Sequence, residues 1–273
     1  MASKLFQKVN QKFIIFVFLI GSQAFSNSLR VGETFTYKIM FRSLVVGTAT
    51  MAIADEIKYH GHKVLVLKTT AKSSPGLARF YEVNDEIKSY YDPVKRVSHT
   101  FSKRMHEGNY HREYFAEFDF KSKTCNWWER KYIGNLQKLL ESGGKDLWSP
   151  KSGFLNPIPA TTLDVLSAIY WIRSNPESAK ENTEFSIQVF DDLQLIPMKI
   201  QILNFETITL KEGETEVEFD TIKIKPSIST SGIFRSDGEL TMWVTNDEDR
   251  IPLRIESKVK PFGKIVVELI SYQ

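Results

Sequence analysis

The residues of this chain best suited to metal binding or proton transfer are its five histidines. His60 and His62 flank Gly61 in a predicted hairpin turn, and histidines two residues apart can place both rings on one side of a strand. His106 and His111 bracket a second predicted turn. A metal centre needs further ligands, and neither pair is accompanied by an HExxH or CxxC motif. We therefore expect solvated turns there, with no metal site and no bound cofactor.

A second set of residues could in principle act in catalysis. Asp164, Ser167 and Arg173 lie on one predicted helix and could serve as an acid, a hydroxyl and an electrophile. Structural roles explain them better: Asp164 caps the helix, Ser167 allows close packing, and Arg173 meets the helix C-terminus. Asp247 and Arg250 could bind an anion, but turn chemistry favours pairing with each other or with solvent. Because GxSxG, GxxxxGK and GxGxxG motifs are also missing, we expect no catalytic residues.

The elements that would position these residues are mostly β-strands. Short alternating runs of β-branched and aromatic residues, separated by Gly, Pro, Asn and Asp, recur along the chain. The pattern predicts strands at 35–41, 45–54, 64–70, 83–91, 97–104 and 111–120, and again at 184–190, 196–210, 217–225, 240–245, 251–259 and 265–272. A short helical turn is predicted at 74–81. We expect one mainly β domain, with a curved antiparallel sheet or open half-barrel and one principal helix packed on it.

The middle of the chain breaks the β pattern. Residues 131–160 scatter Gly and Pro among polar residues, which predicts a long loop or crossover. A helix at 162–173 follows, where Thr161 and Asp164 have capping-box spacing and apolar residues recur at helical intervals. Asn175 and Pro176 end it.

The first residues indicate where the protein goes. Lys4, Lys8 and Lys12 precede eight consecutive apolar residues at 13–20, and small residues follow. This pattern is typical of a secretory signal peptide, since a bilayer-spanning helix needs about 20 apolar residues. We predict cleavage after Ala24, with Ser26 as second choice and an uncleaved anchor as the alternative. The mature chain, 25–273, is then a single β-rich domain in the periplasm or the medium.

Charge and cysteine content narrow the class of partner. The chain has 36 basic and 33 acidic side chains, and the three lysines of the predicted signal peptide account for the whole excess. A neutral mature protein without a basic run is a poor nucleic-acid binder, so we expect no nucleic-acid partner.

Cys125 is the only cysteine. It lies far from the cleavage site, so we expect neither a disulfide nor a lipid anchor, and predict a buried, inert thiol.

Three segments carry a resemblance to a known family. They are residues 31–37 with Gly47, the helix residues Asp164, Val165, Leu166, Ser167, Tyr170 and Arg173, and the run from Trp243 to Pro252. With these segments the chain resembles the exported bacterial family called domain of unknown function 3108. The resemblance implies a periplasmic antiparallel β protein, with a curved sheet similar to the half-barrels of lipoprotein carriers. It implies no catalytic residue.

A curved sheet with one helix leaves a concave apolar side, and such concavities commonly hold ligands. We therefore expect a non-enzymatic binding, carrier or chaperone-like protein for a lipid or other envelope component. The candidate ligand-binding residues are Leu166, Tyr170, Trp171 and Trp243, because the ligand is expected between helix and sheet. Two alternatives stay open: an envelope hydrolase with a site assembled from separate strands, and a structural partner in envelope assembly.

Overall fold

A computed structural model describes residues 29–141, 143, 148–212, 215–228, 240–259 and 263–273. The predicted signal peptide, residues 1–24, lies outside the described residues. Among those described, no helix has both the length and the apolar character needed to cross a bilayer.

The described chain is built on one sheet of fifteen strands. The first half contributes β1 (Thr34–Phe41), β2 (Leu44–Tyr59), β3 (His62–Ser73), β4 (Asn84–Asp92), β5 (Val97–Glu107), β6 (Tyr110–Asp119), β7 (Thr124–Ile133) and β8 (Ser149–Leu155). The second half contributes β9 (Thr162–Asp164), β10 (Thr183–Asp191), β11 (Gln194–Glu212), β12 (Thr215–Ile228), β13 (Leu240–Thr245), β14 (Pro252–Val259) and β15 (Gly263–Tyr272). Short helices are α1 (Pro75–Ala78), α2 (Leu136–Glu141) and a 3-10 turn (Pro176–Ala179), and the principal helix is α3 (Val165–Ser174).

The strand order is β8 through β1, then β15 down to β9, so the first and last strands of the chain meet in the middle of the sheet. All neighbours are antiparallel except β9 and β10, which are parallel. The sheet is open, because β8 and β9 are its two ends. This confirms the predicted fold class: a mainly β protein with an open antiparallel sheet and one principal helix.

The sheet curls until its two halves face each other. Phe190 of β10 packs edge-on against Phe101 of β5 and Phe118 of β6, with ring centroids 6.1 and 5.3 Å away. Strand β9 lies against β5, where the Asp164 amide donates to Ser98 Oγ at 2.8 Å. Alternate residues of each strand therefore point into a shared interior, which is why the alternating sequence pattern located the strands well.

Two predicted boundaries in the middle of the chain are wrong. Residues 131–160 are not one long loop, because they include the end of β7, the short helix α2, and β8, which pairs with β7. The helix begins at Val165 rather than at 162, because residues 162–164 form β9 alongside β10. The capping box is accordingly Asp164 with Ser167, not Thr161 with Asp164. The predicted helical turn at 74–81 corresponds to α1.

Asp164 makes more contacts than an ordinary helix N-cap does. Its carboxylate accepts from the amides of Leu166 and Ser167 at 2.8 and 2.9 Å, and from the Ser89 hydroxyl on β4. The side chains of Ser89, Asp164 and Ser167 are fully buried. The N-terminus of α3 is thus joined to β4 through buried polar contacts with little access to water.

Replacing Asp164 therefore tests how firmly α3 is attached. Asp164→Ala is expected to lower the free energy of unfolding by more than the about 0.5–2 kcal/mol of a surface cap, because buried donors lose their acceptor. Asp164→Asn, which keeps one carbonyl acceptor, should lose clearly less. Urea denaturation measures both. Equal losses in the two variants would contradict this role for the carboxylate.

Candidate binding site on the inner face

Helix α3 lies inside the curve of the sheet and fills part of it. Seven of its ten residues are buried, including Leu166, Tyr170 and Ile172, which belong to the main hydrophobic core. Trp171 is half-buried and packs edge-on against Phe185 of β10, with ring centroids 5.2 Å apart. The predicted ligand-binding residues Leu166 and Tyr170 thus lie in the protein's own core.

Trp243 is also buried, at 8% exposed, and belongs to the main hydrophobic core, but its indole turns away from the helix. Its neighbours Met242 and Val244 point into the core, so strand alternation turns the indole outward. There its Nε1 donates to Glu206, and Lys223 Nζ lies 5.4 Å from the ring centre. The four predicted residues consequently do not converge on one site.

The C-terminus of α3 holds a buried ion pair. Arg173 is fully buried and donates through both terminal nitrogens to the Glu33 carboxylate, which is 4% exposed. Its guanidinium carbon lies 4.9 Å from the Phe35 ring centre and 5.4 Å from that of Tyr170. Its Nε donates to the carbonyl of Asp249 at 3.2 Å. The pair thus connects α3, the residue before β1 and the β13–β14 turn.

The same turn adds a second contact to the helix end. Arg250 Nη1 donates to the Arg173 carbonyl at 2.7 Å, satisfying a carbonyl that the helix end leaves free. Asp247 accepts from the amides of Asp249 and Arg250 at 3.0 Å, as expected for a turn carboxylate. The three sequence segments that carry the family resemblance therefore meet here. Arg173 and Ser167 are enclosed structural groups, so their catalytic interpretation receives no support.

The inner face beyond α3 carries an apolar strip, defined as Ile39 and Phe41 of β1, Ile265 and Val267 of β15, Ile255 of β14 and Leu240 of β13. Its members are half-buried, whereas Phe35 and Tyr37, nearer the helix on the same face of β1, are fully covered. Ile39 pairs with Val267, which pairs with Ile255, so the strip is continuous across three strands. It is partly exposed apolar surface on the concave side.

Small residues continue this face across β2 and β3. Ala49 pairs with Tyr37 and with Ala71, and Ala71 pairs with Asp85 of β4. A Cβ on Gly47 would lie 2.4 Å from the backbone oxygen of Lys72, so the strands approach here too closely for a side chain. These small side chains lie between the apolar strip and the polar residues of β4 and β5.

Asp85 of β4 is a titratable group next to these small residues. Burial raises the pKa of its carboxyl to about 7, and the neighbouring Glu107 adds to the shift. The His106 amide donates to it at 3.0 Å and opposes the shift. The concave face therefore has an apolar side and a side with a carboxyl group that titrates near neutrality.

A charged cluster next to Asp85 ties the two halves of the sheet together. The Asp191 carboxylate accepts from the Tyr114 hydroxyl at 2.9 Å and lies 3.5 Å from Lys103 Nζ. Arg112 donates to Asp192 and, at 2.9 Å, to Glu129. The β10–β11 turn is thus fixed on the inner face of β5–β7, which sets the curvature of the sheet at this end.

Two further features lie away from the apolar strip. A shallow depression of about 170 Å³ is lined by Phe205, Glu206, Thr207, Asp220, Thr221 and Asn246. Its carboxylates already have partners: Glu206 accepts from Trp243 and Asp220 from Thr207. Cys125 is fully buried, and burial raises the pKa of its thiol to about 12, as expected for an inert cysteine.

Comparison with known proteins identifies the family. The family model named Protein of unknown function (DUF3108) matches residues 36–270. This chain belongs to that family. The resemblance noted in the sequence is therefore confirmed over most of the chain. Among curated proteins, no sequence relative matches this DUF3108 protein.

One solved structure shares its fold, and two others are similar over most of their length at lower scores. A beta-barrel-like protein of the DUF1849 family from Brucella abortus is 6% identical, with 89% of this chain and 97% of that chain covered, at a TM-score of 0.51. A Bacteroides fragilis protein described as exported and YmcC-like covers 90% of this chain and 97% of its own at 9% identity and a TM-score of 0.37. A protein from Parabacteroides distasonis described as a lipoprotein covers 89% and 96% at 12% identity and a TM-score of 0.31. At 6% identity the likeness to the Brucella abortus protein concerns the fold alone.

Sequence reasoning missed the partners that matter most in this DUF3108 protein. Glu33 and Arg173 are 140 positions apart, and no local pattern connects them. Lys103 and Asp191 are also far apart in the sequence, on β5 and β10. The apolar strip did have a signal, because residues 39, 41, 265 and 267 continue the inward alternation of their strands. The sequence did not indicate which of the inward-facing residues are covered by α3 and which remain partly exposed.

Breaking the buried ion pair should destabilise the protein strongly. Glu33→Ala leaves the Arg173 charge buried without its carboxylate, which typically costs about 3–5 kcal/mol. The matched control is Glu177→Ala, whose pair with Lys180 is exposed and should change stability by about 1 kcal/mol or less. Urea denaturation of both variants measures the difference. Similar losses would show that the pair does not anchor the helix.

Asp85 should make stability depend on pH in a defined direction. Its folded pKa of about 7 exceeds the about 3.9 of an unfolded aspartate, so the folded protein binds more protons between these values. The contribution is complete below pH about 4 and is lost as pH rises through about 7. Asp85→Asn should therefore gain melting temperature relative to wild type from pH 4.5 to 7.5, measured by circular dichroism. A difference independent of pH would contradict the raised pKa.

Proposed function

We propose that this protein binds an amphipathic envelope component, such as a lipid, and acts as a periplasmic carrier or chaperone for it rather than as an enzyme. The observation that carries the proposal is the apolar strip. Isolated apolar side chains are common on protein surfaces, whereas six neighbouring ones on a concave face are the arrangement that a binding surface requires, which supports the proposal.

The shape of the face favours an elongated ligand. The strip crosses β13, β14, β15 and β1, and beside it the side chains of Ala49 and Ala71 are small. An acyl chain laid across Ile39, Val267 and Ile255 would remove their remaining exposed surface from water, at about 25 cal/mol per Å². Asp85 lies beyond the small residues and could accept a hydrogen bond from a polar head group.

The location of the ligand differs from the one first expected. A site between α3 and the sheet would require the helix to leave a core that holds Leu166 and Tyr170. The apolar strip needs no such movement. Export through the predicted signal peptide would bring the protein to envelope lipids, which supports a ligand of this class.

The first experiment looks for the natural ligand. Protein purified from its native envelope is extracted with organic solvent, and the extract is analysed by mass spectrometry. We expect a lipid in stoichiometric amount. Recovery of none, together with no binding of fluorescent fatty-acid and phospholipid analogues, would overturn the proposal.

Two adjacent valines give a matched pair of variants for the site. Val267 faces inward on the strip, whereas Val266 is also half-buried but faces the other side of β15. Val267→Asn should weaken binding of a fluorescent acyl probe about tenfold, the equivalent of about 1.4 kcal/mol, and Val266→Asn should leave it unchanged. Melting curves confirm that both variants fold. Equal affinities would place the ligand elsewhere.

A further inference from the structure

Three strands bring two histidines and an aspartate together at the end of the sheet half formed by β1–β8. His62 begins β3, Asp92 ends β4, and His99 lies on β5. His62 Nδ1 lies 4.0 Å and His99 Nε2 lies 3.7 Å from the same oxygen, Asp92 Oδ2. The two imidazole rings are stacked, with centroids 5.1 Å apart and planes 18° from parallel. Two ring nitrogens therefore lie within 4.0 Å of one carboxylate oxygen.

One of these nitrogens is buried and has only the long contact to Asp92. His99 is 7% exposed, and its Nε2 has no hydrogen-bond partner. Such an orphan typically costs about 1–3 kcal/mol, and a fold that retains it calls for an explanation. The Asp92 carboxylate is meanwhile held in place, because its Oδ1 accepts from the amides of Val94 and Lys95 at 2.9 and 2.8 Å. Oδ2 is thereby directed at the histidines.

We propose that His62, Asp92 and His99 bind a divalent transition-metal ion of the Zn²⁺ type. Two imidazole nitrogens and a carboxylate oxygen are a donor set that such ions prefer, and water can fill the remaining positions from the exposed side. The site goes beyond the proposed lipid binding and departs from the expectation of no metal drawn from sequence motifs. That expectation missed it because the three ligands come from separate strands.

The ion would draw the ligands together. In the described part of the chain no three His, Cys, Asp or Glu side chains already stand at metal-binding distances. Bonds of about 2.0–2.1 Å in a tetrahedron place ligand atoms about 3.3–3.4 Å apart, so the contraction needed is about half an ångström. The His62 side chain is 35% exposed, so it has room to move by this distance toward Asp92. Lys95 Nζ lies 3.3 Å from the other ring nitrogen, Nε2, leaving Nδ1 for the metal.

The other histidine pair provides a matched control. His106 and His111 point their Nδ1 atoms at each other, 3.0 Å apart, and His111 Nε2 lies 3.0 Å from the carbonyl of Gly134. Because these ring nitrogens already have partners, they are not available as ligands for a metal ion. A variant there changes the histidine count without touching the proposed site.

The test uses tag-free protein stripped with a chelator and titrated with ZnCl₂ in a calorimeter. We expect one ion per chain with micromolar or tighter affinity, and visible absorption bands of low-coordinate Co²⁺ when CoCl₂ replaces zinc. His62→Ala and Asp92→Asn should each weaken binding by at least about tenfold. The Asp92→Asn substitution keeps a side-chain carbonyl as acceptor for the two turn amides, and circular dichroism verifies that the variants fold. His106→Ala should bind as wild type does.

Several results would overturn the proposal. They are the failure of wild-type protein to bind one ion in the micromolar range, unchanged affinity in folded His62→Ala, and an equal loss in His106→Ala. Lys95→Ala gives an independent check: removing the ammonium beside His62 should strengthen binding, and weaker binding would contradict the assigned geometry.

Discussion

A fully buried guanidinium is the constraint on which this structure depends most. An isolated charge in a protein interior is so costly that it must be paired, and Arg173 is paired with the carboxylate of Glu33, directly before β1. Phe35 and Tyr170 place their rings around the cation. Because Arg173 also donates to the Asp249 carbonyl, one side chain fixes the helix, β1 and the β13–β14 turn relative to each other.

The opposite end of the helix is held in a comparable way. Asp164 is fully buried, and burial raises its pKa while four hydrogen-bond donors act against that shift. One of those donors, Ser89, lies on β4, and Ser98 of β5 accepts from the Asp164 amide. A ten-residue helix is too short to be stable alone, so its position follows from these two anchors and from the core between them. The helix is therefore part of the interior rather than a movable cover.

Local patterns predicted the strands and the fold class but not the long-range contacts. The alternation of apolar and polar residues located β1 and β15, because one face of each strand is buried. The same alternation continues where that face is only partly buried, as at Val267. The helix start was misplaced because Thr162 and Leu163 are as compatible with a strand as with a helix, and pairing with β10 decided between them. Trp243 was assigned to the ligand side from its residue type alone, while its face depends on strand register. Glu33 gave no local sign of its partner.

These anchors also limit where a ligand can bind. Displacing α3 would expose Arg173 and Asp164 together with the core residues of the helix, and the stability lost would exceed what one ligand returns. Binding beneath the helix is therefore unfavourable. The apolar strip lies beyond the end of that cover, where β1 and β15 continue with half-buried Ile39 and Val267. The rigidity of the helix end thus leaves a preformed surface beside it, and the proposed amphipathic ligand would occupy that surface without reorganising the core.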